Sequence, residues 1–450
     1  MCLAFIAKYW LHYRPDPLFI AAYPEEHSML IEFSVKNFRS FAEEQSLSLL
    51  KSAAGELSQT NTFTTETTGN ISLLRSAAIY GANASGKSNL IRALQAMQHI
   101  VTTSASGKTG QKLSVTPFRL RSDMINKPSM FEVLCIADGV RYQYGFCATR
   151  DRVTDEWLFA YPKGRAQKWF ERSWNNRDKE YKWSLGYNLS GEKQIWQRST
   201  REDALFLSTA VQLNSEQLRP LFKWFEETIK FANVGGWSPT FTAQLCREEK
   251  KQILEFLHAA DISITDIDVQ EEPFDPRYLS DDMPEPLKEL VVDQMHDKQI
   301  MDISTAHLDD SGNKVFFDFD EESDGTRKLF SFAGPWIDSL SKGYALFIDE
   351  LHDNLHPKLV AYLISLFQNP AINTKNAQLI FTTHDTSILT QDIFRRDQVW
   401  FCEKGTQQAS SLIPLIEFKP KKGRENLEVA YLSGRYGAVP HISSAAPAIE

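Results

Sequence analysis

The sequence predicts an α/β fold, and three apolar runs that each end in polar residues support this prediction. Residues 72–80 lead into the glycine-rich run GANASGKS, residues 344–348 into Asp-Glu, and residues 378–382 into Thr-His-Asp. Short apolar runs of this kind are typical of central parallel strands. Ligands bind at the carboxyl ends of such strands in open α/β sheets, so we expect the three ends to converge on one ligand.

Composition bounds the class of protein. The chain has 450 residues, of which 42% are hydrophobic and 12% aromatic, which predicts two or three domains with a substantial core. Its formal net charge of −9 does not indicate a nucleic-acid binder, although a local basic face would permit one. Five cysteines without a C-x-x-C pair disfavour a zinc site or disulfide framework and favour the reducing cytoplasm. Because no run reaches about 18 apolar residues, we expect no membrane contact.

We divide the chain into four segments. Residues 1–28 mix aromatic, basic and proline residues ahead of a first strand, and we expect a peripheral extension. Residues 29–200 form a first lobe with the glycine-rich run and antiparallel hairpins, one of them around an Asp-Gly turn. Residues 201–305 form an inserted helical lobe, in which 216–231 have helical spacing. Residues 306–450 form a second lobe with both later strands and a tail.

The run GANASGKS fits G-x-x-x-x-G-K-[ST], the pattern of phosphate-binding loops, and an amphipathic segment follows it at 89–100. Glycines let backbone N–H groups approach phosphates, and a helix N-terminus attracts anions. We therefore expect Lys87 to reach the β- and γ-phosphates of ATP and Ser88 to bind Mg²⁺. A chance match in a polar turn is the alternative. The nucleotide-binding residues predicted here are Gly81, Ser85, Gly86, Lys87, Ser88 and Asn89.

Acidic residues and a histidine follow the two later strands. Asp349 is placed to hold Mg²⁺ through its water shell, and Glu350 to orient the attacking water as a catalytic base. Two solvated acids after a buried strand are the alternative, which the glycine-rich loop disfavours. His384 is placed to sense the γ-phosphate, and a histidine that caps a loop is the alternative. With Lys87, Glu350 and His384 form the predicted catalytic set.

A Ser-x-Gly element, Ser323 and Gly325, lies 26 residues ahead of Asp349, at the start of a predicted helix. A serine hydroxyl, the close approach that glycine permits and the helix N–H groups together suit a phosphate. An ordinary helix N-cap is the alternative, since serine and aspartate are favoured there.

These four elements, in this order, resemble the ABC-type ATPase heads of SMC and DNA-repair proteins. The segment IEFSVKNFRSF is similar to that class as well, which implies that Arg39 lies near the nucleotide and that Asn83 approaches the γ-phosphate. Within the class, GANASGKSNL, ESDGTRKLF, FIDELHDNLHP, FTTHD and the tail AYLSGRYGAVP resemble OLD-like ATPases, most of all the RloA-type or AbiL-type branch of bacterial defence islands. The resemblance implies an ABC-type P-loop head with an antiparallel β subdomain and an inserted helical lobe. The sequence shows no long coiled coil.

The resemblance also implies a composite site between two copies. ATP and Mg²⁺ are then held between two heads that pair head to tail, in a homodimer or a higher homo-oligomer. One subunit supplies the phosphate loop, the Asp-Glu strand and His384, and the other supplies Ser323 and Gly325. ATP closes such a pair and hydrolysis opens it.

We expect the effector activity that this chain controls to belong to another protein. Many OLD-like proteins carry a TOPRIM nuclease domain after the histidine, which needs a glutamate and an Asp-x-Asp to hold Mg²⁺. No Asp-x-Asp follows His384, and the upstream Asp266-Ile267-Asp268 is interpreted as solvated acids. We therefore expect an ATPase that controls a separate effector, a nuclease, in antiviral defence. A DNA-binding repair or recombination ATPase and an ATP-bound scaffold with little turnover are the alternatives.

The tail contains two further features. Residues 419–424 are basic and are interpreted as a solvated loop, with phosphate contact as the alternative. Tyr431, Arg435 and Tyr436 indicate either a partner surface or a packed turn.

Overall fold

A computed structural model describes residues 28–65, 69–232, 237–274, 279, 283–295 and 299–440, so the predicted N-terminal extension lies almost wholly outside the described residues. The strands of the described part are β1 (Met29–Lys36), β2 (Gln45–Ser48), β3 (Thr62–Thr64), β4 (Ser72–Leu74), β5 (Ser76–Tyr80), β6 (Ser129–Ala137), β7 (Val140–Ala148), β8 (Val153–Tyr161), β9 (Gln167–Asn175), β10 (Glu180–Leu185), β11 (Ile229–Ala232), β12 (Asp266–Pro273), β13 (Gln299–Leu308), β14 (Lys314–Asp318), β15 (Ala345–Ile348), β16 (Gln378–Thr382), β17 (Val399–Lys404) and β18 (Ser410–Pro414). The α-helices are α1 (Lys87–Thr103), α2 (Lys193–Ser199), α3 (Phe206–Gln212), α4 (Arg219–Lys223), α5 (Pro239–Ala259), α6 (Glu285–Met295), α7 (Asp324–Lys342), α8 (Pro357–Gln368) and α9 (Leu427–Leu432).

The chain forms two compact units. Among the described residues, the larger unit contains 28–232, 339–352 and 360–440, and the smaller unit contains 237–338 and 353–359. The smaller unit therefore begins well inside the segment 201–305 that the sequence predicts as the insertion.

A six-stranded sheet forms the centre of the larger unit. Its order is β11-β15-β16-β5-β17-β18, and every neighbouring pair is parallel except β17 with β18. All residues of β5, β15 and β16 are buried, as expected for strands covered on both faces. The predicted α/β class is confirmed, and the three apolar runs lie side by side as β15-β16-β5. Their carboxyl ends consequently meet at one edge of the sheet.

A seven-stranded antiparallel sheet lies in the same unit, in the order β10-β9-β8-β7-β6-β1-β2. The predicted Asp-Gly turn connects β6 and β7, with Asp138 and Gly139 both at positive φ. Inward-facing residues of this sheet, such as Phe131 and Val133, share one core with Leu94 and Met97 of α1. The helix that follows the glycine-rich run is thus packed against both the parallel and the antiparallel sheet through its apolar stripe.

The smaller unit contains a three-stranded antiparallel sheet, β12-β13-β14, together with α5, α6 and most of α7. The segment predicted as helical therefore includes β12 and part of β13. Residues 229–231, also predicted as helical, belong to β11, because their backbone pairs in parallel with the buried strand β15. Among the described helices the longest is α5, with 21 residues and a kink at Glu249, so the described part contains no long coiled coil. No described helix has the length and apolar character that crossing a bilayer requires.

Candidate functional site

The phosphate loop connects β5 to α1 and depends on two glycines. Gly81 has φ 155° and Gly86 has φ 117°, which is a conformation that residues with a Cβ rarely adopt. A Cβ on Gly86 would lie 2.7 Å from the Ser40 hydroxyl and would also collide with the Ser410 hydroxyl. The loop is therefore held between the segment that follows β1 and the start of β18.

Lys87 is buried at the first position of α1. Its Nζ donates hydrogen bonds to the carbonyl oxygens of Gly81 at 2.8 Å and Ala82 at 3.1 Å. Burial lowers the pKa of Lys87, while the nearby Cys402 and the two acids Asp349 and Glu350 act in the opposite direction. The ammonium therefore lies inside the curve of the loop, on the side of the sheet edge that carries the acids.

The loop fits an anionic ligand. The Ser85 hydroxyl is buried and has no hydrogen-bond partner in the described part of the chain. Gly81 and Gly86 leave the loop backbone without side chains, since a Cβ on either would collide with its neighbours, and Lys87 supplies a positive charge. Ser88 and Asn89 follow at the start of α1 and are half-buried, and Asn83 is exposed at the tip. An orphaned hydroxyl, a cradle without side chains and an ammonium are the features that a nucleotide phosphate requires.

The N-F-R-S segment lies against the start of α1. The Asn89 side chain donates to the Ser40 hydroxyl at 2.9 Å, and the backbone N–H of Arg39 donates to the Thr116 carbonyl at 2.8 Å. Arg39 itself is exposed at φ 50°, and its pKa is lowered by partial burial and then by the charge of Arg92. The structure therefore places Arg39 near Arg92 of the phosphate-loop helix.

Asp349 and Glu350 are fixed by one hydroxyl. Thr382, the last residue of β16, donates from Oγ1 to Asp349 Oδ1 at 2.7 Å and accepts the Glu350 N–H at 2.8 Å. Glu350 has φ 58°, in the left-handed region that costs a residue with a side chain of order 1 kcal/mol. The turn that aims its carboxylate is thus stabilised by the neighbouring strand. Sequence reasoning missed Thr382, although a hydroxyl at the end of a strand next to Asp-Glu was an available signal.

His384 completes the cluster. Its Nε2 lies 3.7 Å from Glu350 Oε1. Burial lowers its pKa to about 4, with further lowering by Lys87 and His352 and an opposite effect of Asp349. The imidazole is consequently neutral near pH 7, so one ring nitrogen is an N–H donor and the other an acceptor. His352, which the sequence did not single out, packs edge-on against His384 with ring centroids 5.6 Å apart.

Ser323 and Gly325 lie in the smaller unit. The Ser323 hydroxyl accepts the backbone N–H of Thr326 at 3.1 Å, so it acts as the N-cap of α7, as in the alternative interpretation. Ser323 is exposed, and a Cβ on Gly325 would make only an ordinary contact with the Asn354 carbonyl. Lys328 forms an ion pair with Asp353 at 2.9 Å, which ties the first turns of α7 to the loop after the Asp-Glu strand.

Two other predicted features have structural roles in the described residues. Asp266 binds Lys314 and Lys250, which hold the pKa of its carboxyl well below the usual range. No cluster of three or more His, Cys, Asp or Glu side chains suited to a metal occurs in the described ranges. Tyr431 and Tyr436 stack on Phe401 with ring centroids 5.2 and 5.3 Å apart, so the tail forms a packed turn.

Residues 76–390 match the model of a family described as "AAA domain, putative AbiEii toxin, Type IV TA system". No functionally curated protein matches the sequence significantly.

Three solved structures are similar at low identity. An SMC head domain from Thermotoga maritima has 12% identity and a TM-score of 0.37, and the match covers 86% of this chain and 98% of that one. An SMC head bound to the C-winged helix domain of ScpA has 13% identity and a TM-score of 0.36, with 85% of this chain and 96% of that one covered. The recombination mediator protein RecF with ATP has 12% identity and a TM-score of 0.35, with 86% of this chain and 100% of that one covered.

Proposed function

Because this chain belongs to the family of AAA domains described as putative AbiEii toxins of Type IV TA systems, we propose that it binds and hydrolyses ATP with Mg²⁺. One observation carries the proposal. The Thr382 hydroxyl joins Asp349 and Glu350 at the sheet edge to which Lys87 and His384 also belong. A buried strand followed by solvated acids would not need such a bridge.

Each side chain has a distinct role in this proposal. The Lys87 ammonium gives up its hydrogen bonds to the loop carbonyl oxygens and donates to phosphate oxygens instead. The backbone N–H groups of the loop bind the same anion. Glu350 accepts a proton from the attacking water, and neutral His384 donates a hydrogen bond where negative charge develops. Ser88 and Asp349 are the residues that would hold Mg²⁺, which neutralises phosphate charge when it is bound.

We further propose that two chains pair head to tail and that the pair controls a separate nuclease in antiviral defence. Ser323 is exposed and Gly325 is half-buried, so the serine is accessible to the phosphate loop of a second copy. The family description names a toxin of a toxin–antitoxin system, which agrees with a role in such defence. A nuclease on another chain is the effector that the resemblance to RloA-type ATPases implies.

The Glu350→Gln variant tests the hydrolytic role. It keeps the size and the backbone of the turn but removes the base, so we expect ATP to bind normally and turnover to fall by roughly 100-fold or more. Lys87→Ala should instead lose ATP binding. Glu417→Gln, at an exposed position outside the site, should match the wild type.

Phosphate release and filter binding of labelled ATP distinguish these outcomes. Turnover by Glu350→Gln at the wild-type rate would exclude Glu350 as the base. Absence of ATP binding by the wild-type chain would contradict the proposed function altogether.

A further inference from the structure

The outer strand of the three-stranded sheet is exposed along its whole length. β14 pairs with β13 on one side, and no strand in the described ranges pairs with its other side. All five of its residues are exposed, including Val315 at 41%, Phe316 at 50% and Phe317 at 39%. Edge strands of monomeric proteins are ordinarily short of apolar side chains or covered, because free backbone groups beside apolar residues promote association. This edge thus has the composition of an interface.

The sequence of β14, Lys-Val-Phe-Phe-Asp, is complementary to itself when it is read in the antiparallel direction. If two copies pair with Phe316 opposite Phe316, then Lys314 of each copy lies opposite Asp318 of the other. Val315 lies opposite Phe317 in the same register. Opposite charges and aromatic–aliphatic pairs directly across two strands are the stabilising combinations of antiparallel sheets.

We propose that β14 binds β14 of a second copy of this chain, antiparallel, about a twofold axis at Phe316. Six strands then form one continuous sheet across the two copies. The interface is isologous, so each contact except the central Phe316 pair occurs twice. It needs no nucleotide and does not rest on the ATPase function proposed above.

The alternation of side chains in a strand supports the same arrangement. Val315 and Phe317 share one face, and their neighbours on β13 there are His307 and Thr305. Phe316 shares the other face with Lys314 and Asp318. Each face of the paired strands therefore contains apolar contacts. On the face with the single Phe316 pair, a Lys314–Asp318 ion pair lies on each side of the two phenylalanines.

Other registers lack this match. Parallel pairing in register places Lys314 beside Lys314 and Asp318 beside Asp318, and like charges at such positions are destabilising. A shift of two residues leaves both charges opposite apolar residues or unpaired. Charge complementarity thus selects one register and favours a second copy over an unrelated strand.

Reversal of single charges tests the proposal in the full chain without nucleotide. Lys314→Asp and Asp318→Lys should each place like charges opposite one another, so each variant should be monomeric where the wild type dimerises. Mixed in equal amounts, the two variants should form a one-to-one heterodimer, because both charge pairs across the interface then have opposite signs again. Sedimentation velocity with one variant fluorescently labelled measures this directly.

Two matched controls separate the edge from the other contacts of these side chains. Lys250→Asp removes a different partner of Asp266, which Lys314 also binds, and Glu321→Ala removes the other half of the capping box that Asp318 forms. Both controls should dimerise like the wild type. A wild-type chain that stays monomeric up to roughly 100 µM, a range in which small interfaces associate, would overturn the proposal. So would a mixture of the two variants that remains monomeric.

Site-specific cross-linking provides a second test. Phe316→Cys places a thiol opposite its own copy, so a short thiol-reactive cross-linker should convert most of the variant to a covalent dimer. Leu308→Cys, exposed on β13 of the same sheet, should give no more dimer than the parent chain. Equal cross-linking of Leu308→Cys and Phe316→Cys would contradict pairing through β14.

Discussion

A single hydroxyl determines the geometry of two acids. Thr382 is fully buried, and its Oγ1 is both the donor to Asp349 and the acceptor of the Glu350 N–H. Removal of such a group leaves a backbone N–H without a partner, which costs about 1–3 kcal/mol. The positive φ of Glu350 would lose its support at the same time. Thr382 is therefore a positioning residue, since it acts on the candidate base and metal ligand.

Thr382→Val removes the hydroxyl and keeps the shape of the side chain. We expect kcat for ATP hydrolysis to fall by roughly 10- to 100-fold while KM changes little, because the proposed phosphate binding depends on Lys87 and the loop. Thr382→Ser retains the hydroxyl and should retain most of the activity. A serine variant as impaired as the valine variant would show that packing, rather than the hydrogen bonds, is what matters.

A buried ion pair joins the antiparallel sheet to the helices of the larger unit. Glu156 and Arg172 are completely buried, with Arg172 Nε 2.9 Å from Glu156 Oε2. The Glu156 carboxylate also accepts the N–H groups of Phe206 and Leu207, at the start of α3, at 2.7 and 3.0 Å. The Tyr144 hydroxyl donates to it as well, and burial followed by this carboxylate raises the pKa of Tyr144 well above its usual value. One carboxylate thus satisfies donors from two strands and one helix.

Glu156→Gln should destabilise the chain strongly. It leaves the Arg172 charge buried without a counter-ion, and breaking a buried pair on one side costs about 3–5 kcal/mol. Glu171→Gln removes one partner of the exposed Lys168–Glu171 pair, which lies on β9 as Arg172 does. This variant should lose at most about 0.5 kcal/mol of stability. Urea unfolding monitored by tryptophan fluorescence compares the two variants. Equal midpoints would contradict a structural role for the buried pair.

The elements that the sequence predicted correctly are those with local patterns. The phosphate loop, its helix and the three central strands follow from glycine positions and short apolar runs. β11 was predicted as helix, because its strand partner β15 lies more than one hundred residues later in the chain. The bridge of Thr382 to Asp349 was missed, because its two partners are separated by a helix and a loop and only the strand-end hydroxyl indicated it. Long-range pairing, rather than propensity, determined both features.

At the scale of the whole molecule, the proposed site needs two copies of the chain. The acids, Lys87 and His384 belong to the larger unit, whereas Ser323 and Gly325 belong to the smaller one. In a head-to-tail pair, each nucleotide would contact the larger unit of one copy and the smaller unit of the other. Inactive variants of the two units should therefore complement each other.

Mixing Ser323→Arg with Lys87→Ala tests this arrangement. Each variant alone should be inactive, the first because its Ser-x-Gly element is blocked and the second because its phosphate loop lacks the lysine. The mixture should recover about a quarter of the wild-type rate, because half of randomly formed dimers are mixed and each contains one intact site. No recovery, together with normal association of both variants, would indicate that both elements act within one chain.

Gly86 has a consequence for how the protein is made. The glycine is enclosed by Ser40, which follows β1, and by Ser410, which opens β18, and the Ser410 N–H donates to the Ser40 carbonyl. Contacts between such distant parts of a chain form late, because closure of long loops must precede them. A nascent chain that has not yet emerged past residue 410 lacks one wall of the phosphate loop. Nucleotide binding should thus begin only after residue 410 has emerged, and chains truncated before that residue should not bind nucleotide.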